Sequence, residues 1–111
     1  MIVISHRDVA PRFDLAMEVA IAEIENGALT REPRMLVLSE PSGDELCGLA
    51  DRESVDLVIC GGIDQVHQDY LGWKKIGVIE GIIGPYSEAL DSYIEGGLES
   101  NAILPGADAK K

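Results

Sequence analysis

Two cysteines, two histidines and a set of clustered glycines and arginines carry whatever chemistry this chain of 111 residues can perform. The most informative stretch is Asp56-Leu57-Val58-Ile59-Cys60-Gly61-Gly62, an apolar run that ends in a thiol and paired glycines. A continuous apolar run is what a strand buried on both faces needs, and glycines let the backbone turn sharply and approach a ligand. Amides at a following helix start would lower the Cys60 pKa and favour the metal-binding thiolate. The competing reading is a small hydrophobe buried at a strand end. Ile76 to Ile79 repeats the pattern and runs into Glu80-Gly81-Ile82-Ile83-Gly84-Pro85. Two adjacent parallel strands would then open into glycine-rich loops on one edge of a sheet, the usual place for a ligand in open α/β sheets.

His6 follows the first apolar run, Met1 to Ser5, and in such a sheet would emerge beside the Cys60 loop, where it could ligate a metal or stay solvated. Arg7 and Arg12 flank the same loop. With Gly61, Gly62, Gly81 and Gly84 they would suit an anionic cluster or a phosphate, through charge-assisted hydrogen bonds and amide nests. The alternatives are surface ion pairs with Asp8, Asp14 or Glu80, and glycines that only form turns and caps. His67 lies seven residues beyond Cys60 and reaches back only if the helix after the glycines is short. No paired Cys-x-x-Cys or His-x-x-x-His spacing specifies a transition metal. The strand-end positions Ser5, Cys60 and Glu80 supply one acid where a magnesium nuclease needs several, and no catalytic triad, P-loop or Rossmann pattern is present, so catalysis has no support.

These residues need a scaffold, and its elements are partly legible. Ser42 with Glu45 forms a capping box, so a helix is expected from about Gly43 to Arg52, with Cys47 packing in the core beside Leu46 and Leu49. A strand over Val55 to Cys60 follows, then a helix begun near Asp64 and ended by Gly72. Gly84-Pro85 opens a last helix that Gly96-Gly97 stops. Leu15 to Ile24 has the composition of a helix and the alternation of a strand. Asn26-Gly27 favours a hairpin leading into the strand Arg34 to Leu38, though Gly27 could also cap a helix. Phe13 is expected in the core under the first loop, and Trp73 over a sheet edge or a partner surface.

The length fits one compact domain, and 46% hydrophobic residues suffice for a core without disulfides. A formal charge of -11 leaves no basic patch to neutralise phosphates, which excludes a nucleic-acid partner. No segment reaches the length of a membrane span and the start lacks a secretory pattern, so no membrane partner, a cytoplasmic location and free cysteines are expected.

The loop Val9-Ala10-Pro11-Arg12-Phe13-Asp14, the strand Val55 to Gly62, the segment Leu71 to Val78 with Gly77, and Gly84 through Leu98 together resemble the dinitrogenase iron-molybdenum cofactor biosynthesis family of nitrogenase accessory factors and orange-protein relatives. The resemblance covers residues 1–98 as a single domain, with 99–111 expected as a loose tail. It implies a ribonuclease-H-like three-layer α/β fold with a mixed five-stranded sheet of order 3-2-1-4-5 and an antiparallel strand 2, which makes Leu15 to Ile24 a strand. It also implies carriage of an iron-, molybdenum- or copper-containing sulfide cluster, with no catalysis. Members of the nitrogenase branch carry a histidine before the phenylalanine of the first loop, where this chain has Arg12. Histidine ligation from that position is unavailable, and Cys60 and His6 stand as the candidate metal ligands from their places at the strand ends. The alternative is a non-metal interaction module with a structural Cys60, dimeric through an edge strand such as Arg34 to Leu38.

Overall fold

The computed structural model describes residues 1–110; Lys111, at the end of the expected tail, lies outside the described residues. In chain order the elements are β1 (Ile2–Ser5), β2 (Asp8–Val9), a 3-10 turn (Phe13–Leu15), β3 (Glu18–Ile21), β4 (Ile24–Glu25), β5 (Ala28–Leu29), β6 (Arg34–Val37), α1 (Gly43–Arg52), β7 (Leu57–Ile59), α2 (Gln65–Trp73), β8 (Gly77–Ile79), α3 (Tyr86–Ile94) and a closing 3-10 segment (Pro105–Lys110). The sheet runs β6-β3-β1-β7-β8, with β2 folded back on β1. β3 is antiparallel to both neighbours, whereas β7 is parallel to β1 and β8.

Alternation along each strand sends residues to two cores. Val3, Val19, Val58 and Cys60 pack with Leu46, Leu49, Ala50 and Leu71 of α1 and α2, while Ile2, Ile4, Ala20 and Ile59 pack with Ala89 and Leu90 of α3. The sheet is thus the middle of three layers. Ser42 caps α1, its Oγ accepting the Glu45 N–H at 3.1 Å.

Glu18–Ile21 is a strand despite its helical composition. It pairs with β1 on one side and β6 on the other, and Val19 and Ala20 are buried on opposite faces, which a helix at that place could not achieve. Asn26 and Gly27, at φ 53° and 77°, do make a tight hairpin, but it joins β4 to β5 in a separate small ribbon and does not lead directly into β6.

The segment beyond Leu98 departs from expectation. The Asn101 N–H donates to the Glu80 carbonyl, an isolated parallel bridge sets Ile83 beside Ile103 with Ile83 N–H donating to Ala102 O and Leu104 N–H to Ile83 O, and the Leu104 side chain is buried against the α3 face. The Gly106 N–H donates to Glu88 at 2.8 Å. An apolar anchor and successive backbone bonds fasten residues 99–107 to the domain, where polar composition alone suggests a loose end.

Candidate functional site

Because β1, β7 and β8 are parallel, the turns after Ser5, Cys60 and Ile79 leave the same edge of the sheet. They are stitched directly to one another. The Gly61 N–H donates to Ala10 O at 3.0 Å, the Gly62 N–H to Pro11 O at 2.6 Å, and the Gly81 N–H to Gly61 O at 2.9 Å. Phe13 N–H returns the contact to Gly62 O at 2.8 Å, seating the Phe13 ring in the core.

That stitching corrects the role expected of the glycines. A methyl group on Gly61 would lie 2.5 Å from the Ala10 carbonyl oxygen, so the close approach that glycine permits here is made by the chain's own backbone. Gly81, at φ 73°, is pressed against Asn101, and Gly84 against Leu104. With the Gly61, Gly62 and Gly81 amides already donating, these residues are not an open anion nest.

Cys60 is corrected as well. Its side chain is 0% exposed, and burial, with a smaller contribution from the Glu80 carboxylate, pushes the thiol up to about 12. Any lowering by nearby amides is outweighed, and the group is a protonated core residue instead of a thiolate ligand. Cys47 is also buried, and burial, then Asp44 and Asp64, push it up to about 11. Both cysteines are free, as expected.

What the edge does present is a strained, exposed tip. The loop after β1 is a two-residue hairpin turn: Ser5 pairs with Asp8, and His6 and Arg7 occupy the left-handed region at φ 51° and 73°. Side chains rarely adopt that region, and here it lifts an imidazole and a guanidinium into solvent. The turn is braced from behind, since Tyr86 N–H donates to Arg7 O at 3.0 Å and Val9 N–H to Gly84 O at 2.8 Å. Arg12 is exposed nearby but engaged, its Nε and terminal nitrogen meeting Asp14 at 3.1 and 2.6 Å. A shallow recess of about 210 Å³ lies beside it, lined by Ser5, Ala10, Pro11, Arg12 and Leu15.

Glu80 is the residue that sequence reasoning undervalued. One carboxylate oxygen, Oε2, is shielded from solvent without a hydrogen-bond partner among the described residues, while its backbone N–H donates to Ser100 Oγ at 3.3 Å. Its position directly after a strand that ends at this edge was the only available indication. No group of three or more His, Cys, Asp and Glu side chains converges on a metal-sized space among the described residues.

His67 belongs to a different arrangement on the same edge. Its Nδ1 lies 2.6 Å from Asp64 Oδ1 and its Nε2 3.0 Å from Asp44 Oδ1, so the ring ties the start of α2 to the start of α1 and does not reach toward Cys60. Gly43 leaves the room the ring occupies, and Phe13 packs against it with centroids 5.7 Å apart.

No helix among the described residues is long and apolar enough to cross a membrane. No family model matches the chain, and no curated protein matches it in sequence. Among solved structures it is similar to the crystal structure of PH0822, with a TM-score of 0.80 over 90% of this chain and 91% of that one. The two are 20% identical, so what they share is a fold, and it is the fold that brings the three strand-end turns to one edge.

Proposed function

We propose that this protein is a small cytoplasmic accessory protein that carries a preformed metal-sulfide cluster of the iron-, molybdenum- or copper-containing class at the strand-end edge. His6 supplies a ligand, Arg7 supplies charge, and Arg12 adds a second guanidinium by exchanging Asp14 for the cargo. The observation that carries this reading is the braced, left-handed His6-Arg7 turn standing exposed where three strands end together. The sheet order, with β3 antiparallel among otherwise parallel central strands, supports the ribonuclease-H-like assignment, and with it the resemblance to the cofactor biosynthesis family.

The donor set suits cargo and not assembly. A soft-metal site built from single ions needs several thiolates or imidazoles, and the buried Cys60 offers none. A cluster whose metals are already held by sulfides needs one protein ligand and compensating positive charge, which the turn provides. The orphaned Glu80 oxygen is a hard donor beneath this edge and would favour a bound cation in the cluster over a bare anion. Carriage requires no chemical step, and the net charge of -11 disfavours nucleic acid as a competing ligand.

Anaerobic reconstitution with iron, sulfide and molybdate or copper, followed by absorption spectroscopy and metal analysis after desalting, tests the proposal. Wild type and Cys60→Ser should retain colour and metal, whereas the double variant His6→Ala, Arg7→Ala should lose both at an unchanged melting temperature. A wild-type protein that emerges colourless and metal-free overturns it. The second reading, a non-metal interaction module, draws support from edge strand β6, where Met35 and Val37 are 47% and 72% exposed.

A further inference from the structure

The hairpin tip at Asn26-Gly27 sets a side-chain amide next to an unhindered backbone nitrogen. Both residues are exposed, and a methyl group built on Gly27 would meet nothing within 4 Å. Among the described residues, neither the Asn26 side-chain amide nor the Gly27 N–H has a hydrogen-bond partner. The two groups are wet and uncommitted. The turn itself is lightly held, because β4 and β5 pair only through Ile24 with Leu29 and Glu25 with Ala28, in a ribbon outside the main sheet. A two-stranded ribbon of this size is marginal in water, so it opens locally and lets Asn26 leave its left-handed conformation without unfolding the domain. Asn101, the other asparagine, is held differently. Its side chain is pressed against Gly81, its N–H donates to Glu80 O at 2.8 Å, and the residue after it is Ala102, whose carbonyl accepts the Ile83 N–H.

We propose that Asn26-Gly27 is a self-modification site, where the asparagine side chain closes on the glycine nitrogen and the residue ends as isoaspartate or aspartate. The Gly27 nitrogen loses its proton to solvent and bonds to Asn26 Cγ, the Cγ–Nδ2 bond breaks, and the amide leaves as ammonia with a proton from water. Water then opens the cyclic imide. Opening at the Asn26 backbone carbonyl leaves the chain running through the side chain, as isoaspartate, and opening at Cγ gives ordinary aspartate. Ammonia is exchanged for water, with no change of oxidation state. An isoaspartyl link adds a methylene to the backbone, so a two-residue turn no longer sets Glu25 opposite Ala28. Ile24, Glu25 and Thr30 form one wall of a cleft of about 590 Å³ where the main strands begin, and conversion loosens that wall while the main sheet stays paired.

Incubating the native protein at mildly alkaline pH and digesting it with trypsin reads the two asparagines separately, because residues 13–31 and 76–110 fall in different peptides. The 13–31 peptide should gain the mass of an amide exchanged for an acid, faster as pH rises, and the 76–110 peptide should not. An isoaspartyl methyltransferase with a labelled methyl donor should then label 13–31 alone. Asn26→Gly keeps residues that suit the turn and should remove both signals. In converted protein, hydrogen exchange should rise at the Ala28 amide and stay unchanged at Val19 in the main sheet. A 13–31 peptide that is unaltered in native protein, or altered only after unfolding in urea, overturns the proposal. So does equal conversion at both asparagines, or converted protein whose Ala28 amide exchanges as before.

Discussion

A thiol with no solvent contact and a carboxylate as its nearest charge keeps its proton, because ionising it would place a second negative charge in an apolar region. Cys60 is therefore inert in the folded protein, and Cys47 with it. Ellman's reagent should titrate neither thiol in native protein at neutral pH and both after denaturation; rapid reaction of one thiol in the native state contradicts the burial argument. Cys60→Ser puts a hydroxyl without an evident partner in the same core and should destabilise by about 1–3 kcal/mol in urea unfolding. Cys60→Ala, which only trims volume, should cost about 1 kcal/mol. That ordering separates a packing role from a ligand role, since a ligand would lose function equally in both.

At the scale of elements, the joint between α1 and α2 depends on a proton. Neutral imidazole has one N–H, yet both His67 nitrogens face carboxylate oxygens, so the full clasp requires the charged ring. Burial works to lower its pKa, but the hydrogen bonds to Asp64 and then Asp44 outweigh it, and the value lies above the ordinary 6.5. From α1 the ring faces Asp44, with the Cys47 thiol one turn on; from the lead-in to α2 it faces Asp64; from the 3-10 turn it meets the uncharged Phe13 ring. A folded pKa above the unfolded one stabilises fully below about pH 6.5 and loses that stabilisation as pH rises through the folded value. Burial also lowers the Met1 amino terminus to about 6, which makes stability rise with pH between about 6 and 8, so melting temperature should rise over that window in His67→Gln and rise less, or fall, in wild type, measured by scanning calorimetry. Equal slopes in the two proteins would show that the clasp does not couple to stability.

Across the whole molecule, the two cores are closed by different means. The α1 and α2 face is sealed by those helices together with Ala10, Phe13 and Ala16 of the first loop, whereas the α3 face relies on Leu98 and Leu104 from the last part of the chain. Leu104 also abuts Gly84, whose carbonyl braces the hairpin that lifts His6 and Arg7. Leu104→Ala should cost about 2–3 kcal/mol in denaturant unfolding. Beyond that loss, it should raise hydrogen exchange at the Val9 and Tyr86 amides, which hold the turn in place; exchange unchanged at those amides would mean that the tail stabilises the fold without steering the site.

Much of this architecture was written locally. Ser42 and Glu45 specify the start of α1, Pro85 and Gly96 bracket α3, and the apolar runs before Gly61 and Glu80 mark two strands, because caps, glycines and apolar period act within a few residues of chain. The left-handed tip at His6-Arg7 was not legible, since the pair lacks the Asn-Gly or Asp-Gly signature of such turns and the pairing of Ser5 with Asp8 imposes the conformation. Leu15 to Ile24 shows the same limit from the other side, its helical composition overruled by strand partners on both edges. Composition and spacing alone settled which residues could bear chemistry. Tertiary structure decided which of them can use it, because solvent access and the partners of each amide, thiol and ring nitrogen depend on segments distant in sequence, and those are what shift a proton or free a donor.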